Sequence, residues 1–317
     1  MKEKIKEIAD RLLRSTRRFS DFFPIAGILS FLLAIFGTLL SMFIRTLLPF
    51  LRNFMASLVY SPSMLKFLEN YADFFGIWIL TVLVVVCFQA NRPMIKAIRY
   101  SKKGNNLKGL LVGFLLGFGT NGFAILMSWL AGDIKLSYYG FDFVVLLAFA
   151  VAVFIQSGAE ELIDRFYLYQ KLRRRYRSPL FAVIINALTF ALMHVGNPGF
   201  TFIAGSQIFL IAVVFSMMVY YYNNLYGAMA FHAAWNYSQN IIFGLPNSGI
   251  VSEYSIFTLE AASARNGLFY NVNFGVEGSI GATLMLAVLA IVIYLLNRHK
   301  PEANDVWADE EKESHSV

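Results

Sequence analysis

The chain of 317 residues is 57% apolar and 16% aromatic, and only 15% of its residues are charged. Soluble domains carry about 25% charged residues and disordered chains lack apolar residues. This composition, with a mean hydropathy of +0.57, therefore excludes both classes. Several apolar stretches exceed the roughly 18 residues that indicate a membrane-spanning helix. We predict an all-α polytopic membrane protein, because in lipid a spanning helix satisfies its own backbone hydrogen bonds.

The charge and the cysteine content exclude further classes. The formal net charge of +7 is typical of a nucleic-acid-binding protein, but in a membrane protein a basic excess is more often found in cytoplasmic loops. We therefore expect no nucleic-acid partner. The single cysteine, Cys87, excludes an intramolecular disulfide, a cysteine metal cluster and a CxxC redox pair.

Eight stretches are predicted to span the membrane. They are 22–44, 74–91, 108–131, 143–170, 179–196, 205–222, 226–243 and 278–297. The first is too long for the apolar region of a signal peptide and is followed by no small-residue cleavage pattern, so we expect it to be retained.

The basic residues predict the orientation of these spans. The termini and alternate loops hold 21 of the 27 Lys and Arg residues, and the other loops hold only five. Cytoplasmic loops are enriched in Lys and Arg, so this alternation predicts that both termini are cytoplasmic. That arrangement requires an even number of spans, which agrees with eight.

The sequence divides into a membrane domain, 22–298, and two terminal segments of different character. Residues 1–21 have a basic amphipathic pattern that favours a helix on the inner leaflet, with a solvated basic tail as the alternative. Residues 299–317 are acidic and are predicted to be a disordered cytoplasmic tail. The longest connection, about 244–277, is expected to be a solvated loop, with a lid or partner site as the alternative.

Polar residues within the spans indicate a functional site. An ionisable side chain costs roughly 2.5–3.5 kcal/mol on insertion, so each one is a candidate functional residue. The candidates are Glu160, Glu161, Asp164 and Arg165 in the fourth span, His194 in the fifth, and His232 with Asn236 in the seventh. One such residue is more often a packing contact, but this number on three spans favours a shared site.

Helical spacing separates the roles of these residues. Glu161 precedes Arg165 by four residues, which is the favourable order for an ion pair on a helix. Glu160 points about 100° away and is left free to act as a general base or acid. His232 and Asn236 are also four residues apart, so both are predicted to face one developing oxyanion.

The three motifs resemble those of the CAAX protease and bacteriocin-processing family of intramembrane endopeptidases, also called the Abi group, which includes the type II CAAX prenyl endopeptidases. The matching residues are Glu160, Glu161 and Arg165 in the first motif, Phe190 and His194 in the second, and His232 and Asn236 in the third. The resemblance covers about 140–245, which is the predicted protease core of the membrane domain. Asp164 is an additional acid within the first motif.

The resemblance implies peptide-bond hydrolysis within the membrane. Glu160 and His194 would activate water, His232 and Asn236 would stabilise the oxyanion, and Glu161, Arg165 and Phe190 would organise the site. Members were long described as metalloproteases and later as glutamate-dependent. We favour a metal-free mechanism with no required cofactor, because those roles already use both histidines. The alternative is a zinc ion bound by Glu160, His194 and His232.

We therefore predict an endopeptidase of a membrane-associated peptide or protein, lipidated or not, in a bacterial plasma membrane. The oligomeric state is not predicted. The main alternative is a non-enzymatic scaffold or immunity protein that regulates a cell-envelope or peptide-export system. A proton-coupled transporter also fits ionisable residues on facing spans, but the chain contains no duplicated half.

Overall fold

The computed structural model describes residues 11–315, and the protein is 71% helical. The helices are α1 (Phe23–Leu47), α2 (Pro49–Ser57), α3 (Pro62–Ala72), α4 (Phe75–Cys87), α5 (Ile95–Ile98), α6 (Leu107–Leu130), α7 (Phe143–Glu161), α8 (Tyr169–Arg175), α9 (Pro179–Met193), α10 (Phe202–Tyr222), α11 (Leu225–Tyr237), α12 (Ile280–Asn297) and α13 (Ala308–His315). A π-helical segment, Leu162–Leu168, joins α7 to α8, and a second, Ser238–Ile242, extends α11. Two short strands, β1 (Leu136–Tyr138) and β2 (Phe257–Leu259), pair antiparallel.

Six of the described helices are long and apolar enough to cross a membrane, which confirms the prediction of an all-α polytopic membrane protein. They are Phe23–Leu47, Pro62–Cys87, Leu107–Leu130, Phe143–Arg175, Phe202–Tyr222 and Ile280–Asn297. The two other predicted spans coincide with the shorter helices α9 and α11, of 15 and 13 residues. At about 1.5 Å per residue, each is shorter than a hydrocarbon core of about 30 Å.

Two consecutive asparagines make the tight junction between α10 and α11. Asn223 ends α10 in the left-handed conformation, with φ of 48°, which asparagine tolerates better than most residues. Asn224 then caps α11, because its side-chain oxygen accepts a hydrogen bond from the backbone N–H of Gly227 at 2.8 Å. The junction holds the two helices side by side.

Helix α11 is the centre of the fold. Every residue from Gly227 to Asn236 is buried, and the helix packs chiefly between α6 and α7. Helix α11 lies so close to α6 that a Cβ atom at Gly113 or Gly117 of α6 would overlap backbone atoms of α11. His232 and Asn236 therefore lie inside the protein.

The prediction of a disordered acidic tail is wrong for the part of the tail that the structure describes. Trp307 is completely buried, and its indole Nε1 donates a hydrogen bond to the backbone oxygen of Gln170 at 2.9 Å. Its ring packs under the guanidinium of Arg174, 4.6 Å away. Composition favours disorder, but Arg14 and Arg173 pair with acidic side chains of the tail.

The expected solvated loop between α11 and α12 also differs from the structure. Its first and last parts fold inward, and Asn247, Ser248 and Glu277 line an internal cavity. Residues Phe257–Leu259 pair with β1. Hydrogen bonds from the second π-helical segment cause this arrangement, because Gln239 and Asn240 donate their side-chain amides to backbone oxygens of 245–250.

Residues 1–10 of the predicted amphipathic segment, 1–21, lie outside the described residues. Within 11–21, Leu13 pairs with Tyr176 in an isolated β-bridge, and Phe19–Asp21 form one turn of 3₁₀ helix. Asp21 is completely buried and forms a salt bridge with Arg174 at 2.5 Å. This part of the segment is thus attached to the protein.

Candidate active site

A cavity of about 390 Å³ lies among α7, α9, α10 and α11. Its walls are largely apolar, but all four predicted catalytic residues line it: Glu160, His194, His232 and Asn236. Phe190 lines it as well, whereas Glu161 and Arg165 lie behind the wall. The fold thus brings together side chains from three helices that are far apart in sequence.

Glu161 lies behind the cavity wall and accepts hydrogen bonds from two side chains. Its Oε1 accepts hydrogen bonds from Arg165 Nη1 at 3.1 Å and from His232 Nδ1 at 3.0 Å, and its side chain is fully buried. The predicted ion pair with Arg165 is therefore present. The guanidinium also lies 4.5 Å from the centre of the Phe190 ring and 5.2 Å from that of Phe215.

Glu160 faces the cavity with one carboxylate oxygen free. Its Oε1 accepts a hydrogen bond from Gln156 Nε2 at 2.6 Å. Its Oε2 lies 3.6 Å from His232 Nε2 and has no hydrogen-bond partner among the described residues. A buried carboxylate oxygen without a partner in a cavity is placed to accept a proton from a bound water molecule.

The imidazole of His232 is oriented by its neighbours. Because the Glu161 carboxylate accepts hydrogen bonds only, Nδ1 of His232 must carry a hydrogen. The ring stacks on Phe215 at 5.6 Å and meets the Phe190 ring edge-on at 6.0 Å. Nε2 therefore points at Glu160 and the cavity, and in the imidazolium form it donates a hydrogen bond there.

His194 ends α9 and is oriented by the backbone of its own helix. Its Nδ1 lies 2.8 Å from the backbone oxygen of Phe190. A carbonyl oxygen only accepts, so Nδ1 carries the hydrogen and Nε2 of the neutral ring keeps a lone pair. The side chain is partly exposed at the cavity wall, which suits a second group that binds or deprotonates water.

Both the NH₂ group and the oxygen of the Asn236 side chain form hydrogen bonds. Its Nδ2 donates to Gln156 Oε1 at 3.3 Å and to Ser157 Oγ at 3.2 Å, and its Oδ1 accepts a hydrogen bond from Asn247 Nδ2 at 3.1 Å. Both donated hydrogen bonds are long, so a stronger acceptor in the cavity competes well for these hydrogens.

Sequence reasoning missed three residues of this network. Gln156 precedes Glu160 by one helical turn, and that spacing was a usable signal. Asn247 and Glu277 lie in the long connection, where no helical periodicity links them to the site. Glu277 is only 5% exposed, and its carboxylate accepts hydrogen bonds from Trp235, Asn247 and Ser248. Burial raises the pKa of Glu277, and the hydrogen bonds from Ser248 oppose this effect.

Two further polar side chains face the cavity without partners. Asp164 and Gln207 are each 1% exposed and line the cavity, and none of their side-chain oxygen or nitrogen atoms has a hydrogen-bond partner among the described residues. Asp164 lies in the π-helical segment Leu162–Leu168. Such segments are frequent at functional sites because they change the direction of side chains along a helix.

The geometry does not fit the zinc alternative. Within the described part of the chain, no three His, Cys, Asp or Glu side chains are placed to hold one metal ion. Glu160, His194 and His232 all line the cavity, but they do not form such a group. We therefore derive no step through a metal ion.

Comparison with known proteins agrees with the motifs. Residues 142–238 match the family model of Rce1-like proteins, described as type II CAAX prenyl endopeptidase Rce1-like. No curated protein and no solved structure matches the chain. The matched region contains Glu160, His194, His232 and Asn236, whereas Asn247 and Glu277 lie beyond it. The motif residues gathered at this cavity thus lie in a region, 142–238, that is similar to the type II CAAX prenyl endopeptidases.

Proposed function

We propose that this protein is a glutamate-type intramembrane endopeptidase that hydrolyses a peptide bond in a membrane-associated peptide or protein. The observation that supports it most is the free Oε2 of Glu160, buried in the cavity 3.6 Å from His232 Nε2. This oxygen faces the cavity beside an imidazole nitrogen, so it is placed to accept a proton from a water molecule bound there.

In the proposed reaction, Glu160 removes a proton from a water molecule that His194 Nε2 helps to orient. The water oxygen attacks the carbonyl carbon of the scissile bond and forms a tetrahedral intermediate. The imidazolium form of His232, through Nε2–H, and Asn236, through Nδ2–H, donate hydrogen bonds to the resulting oxyanion. Glu160 then returns the proton to the leaving amine as the C–N bond breaks, which restores the carboxylate.

We place the protein in the membrane with eight spans and both termini cytoplasmic. The six long helices, together with α9 and α11, support the even number. With its π-helical extension, α11 reaches from Leu225 to Ile242, about 27 Å at 1.5 Å per residue. The alternation of basic loops supports the orientation.

The proposed substrate is a peptide whose C-terminal CAAX sequence carries a prenyl group. The family match supports this class, and the mainly apolar cavity wall is compatible with a lipidated peptide. The cavity also presents the unpartnered amide of Gln207, which has the same donor and acceptor groups as a peptide bond.

The test is cleavage of a fluorogenic farnesylated CAAX peptide by the full-length protein in liposomes. We expect the wild type to cleave it and Glu160→Gln to lower kcat by about 10²–10⁴-fold, the usual contribution of a general base. Glu253→Gln, at an exposed glutamate of the α11–α12 connection, is the matched control and should leave kcat unchanged. An intact peptide with the wild type, or equal cleavage by Glu160→Gln, would contradict the proposal and favour a scaffold.

A further inference from the structure

A chain of hydrogen bonds connects Glu277, beyond the family match, to Glu160 in the candidate active site. Asn247 Nδ2 donates to Glu277 Oε1 at 3.0 Å and to Asn236 Oδ1 at 3.1 Å. Asn236 Nδ2 then donates to Gln156 Oε1 at 3.3 Å, and Gln156 Nε2 donates to Glu160 Oε1 at 2.6 Å. Three amides thus lie in series between two carboxylates.

The carboxylates at the two ends, Glu277 and Glu160, determine which way each amide of this chain is turned. An amide group has one face that donates and one that accepts, so each amide in a series can in principle be reversed. A carboxylate accepts only, and Trp235 Nε1, which binds the same oxygen of Glu277, donates only. Asn247 must therefore turn its NH₂ group toward Glu277, and the same NH₂ group meets the oxygen of Asn236.

The orientation of these amides matters because Asn236 has to donate a hydrogen bond to the oxyanion. With its Oδ1 occupied by Asn247, the NH₂ group of Asn236 faces Gln156, Ser157 and the cavity. A reversed Asn236 would present an oxygen to the oxyanion, and two oxygens repel each other. The orientation of one amide thus decides whether this residue stabilises the intermediate or opposes it.

We propose that Asn247 and Glu277 are positioning residues that hold the Asn236 amide with its NH₂ group toward the reacting carbonyl. This inference rests on the proposed function. It assigns a role to the connection between α11 and α12, which supplies both residues and lies outside the matched region, 142–238.

The connection is rigid enough for this role. Next to Asn247, the backbone oxygens of Leu245 and Pro246 accept hydrogen bonds from Asn240 and Gln239 of the second π-helical segment. Ser248 donates both its backbone N–H, at 2.6 Å, and its hydroxyl, at 2.9 Å, to Glu277 Oε2. Asn247 is itself only 4% exposed.

The variant Asn247→Asp tests the inference at nearly constant shape. The introduced carboxylate cannot donate to Asn236, so Asn236 should turn its NH₂ group toward that carboxylate. We expect kcat for the farnesylated CAAX peptide to fall by about 10²-fold, the usual loss for one oxyanion donor, with KM nearly unchanged. In the Asn236→Ala background the same substitution should change kcat by less than about twofold, because the residue acts through Asn236.

Asn247→Asp places two carboxylic acids side by side and can impair folding, so a second variant is needed. In Asn247→Asp combined with Glu277→Gln, the introduced amide donates to the introduced carboxylate, so the double variant should be more stable than Asn247→Asp alone. Part of the loss should remain, because Trp235 Nε1 then faces an NH₂ group instead of an oxygen. The kcat should stay low, because the side chain at position 247 still cannot donate to Asn236. Thermal unfolding in detergent measures stability, and initial rates in liposomes measure kcat and KM.

The outcomes separate the two proposals. Wild-type kcat in the folded double variant, or an equal loss from Asn247→Asp in the wild-type and Asn236→Ala backgrounds, would overturn the positioning role. If Glu160→Gln abolishes cleavage in the same assay, the proposed function survives that result. If Glu160→Gln cleaves as well as the wild type, the proposed function itself is wrong.

Discussion

At the scale of single residues, Glu161 is the electrostatic centre of the site. One of its oxygens binds both Arg165 and His232, and the side chains of Glu161 and Arg165 are fully buried. An ion pair taken out of water is a weak source of net stability, but removing one partner leaves an uncompensated charge. Glu161 thus compensates the buried charge of Arg165 while it orients the His232 ring.

Glu161→Gln should destabilise the protein by about 3–5 kcal/mol, because Arg165 then lacks its nearest counter-charge. Thermal unfolding in detergent measures this loss. Glu161→Gln combined with Arg165→Met should recover most of the stability, since the buried charge is gone, but not the activity, since His232 Nδ1 loses its carboxylate. A double variant as unstable as the single one would contradict the explanation.

At the scale of elements, the close approach of α6 to α11 places His232. Gly113 and Gly117 are one turn apart on α6, and a Cβ atom at either would overlap the carbonyl oxygen of Gly227 or Phe231. Small residues four apart let two spanning helices approach closely. The neighbouring Gly119 is exposed and has no heavy atom within 4 Å of a Cβ position.

Gly117→Ala should push α11 away from α6 and shift His232, which follows Phe231, away from Glu160. We expect a lower melting temperature and a loss of kcat for the farnesylated CAAX peptide, because small displacements of catalytic groups cost about 10²-fold. Gly119→Ala is the matched control and should be neutral or slightly stabilising, since alanine favours helix. Equal effects of the two substitutions would show that helix propensity, not close approach, is responsible.

At the scale of the whole molecule, the acidic tail is docked on the end of the helix that begins with α7 and contains Glu160. Asp305 and Glu311 pair with Arg14 at 2.6 and 2.5 Å, and Glu302 pairs with Arg173 at 2.7 Å. Burial raises the pKa of Glu302. Burial alone would also raise the pKa of Asp305, but the hydrogen bonds and charge of Arg14 hold it below its usual value.

Asp305→Asn should lower the melting temperature at pH 7, and the difference from the wild type should narrow as the pH falls below about 4. A depressed pKa stabilises the folded state above the unfolded value, about 3.9 for aspartate, and this stabilisation is lost as the carboxylate becomes protonated. The matched control is Asp309→Asn, whose pair with Lys96 is exposed and should contribute little. A difference between Asp305→Asn and the wild type that does not change with pH would refute the electrostatic explanation.

The sequence allowed prediction of the class of fold and of the residues in the motifs. Apolar stretches of about 20 residues have one stable form in lipid, a helix, so composition and length suffice for that conclusion. Spacing along one helix likewise predicted the Glu161–Arg165 pair and the shared face of His232 and Asn236, because residues four apart lie on one side of a helix.

Only the tertiary structure decided which groups outside the motifs meet the site. Local periodicity carries no information on the long connection that brings Asn247 and Glu277 to Asn236, or on the tail that buries Trp307. The π-helical segments that follow Glu161 and Tyr237 also depend on packing, since an α-helix satisfies the same backbone groups. Contacts between residues distant in the chain form only when the helices are assembled, and these contacts give Asn236 its orientation and the tail its order.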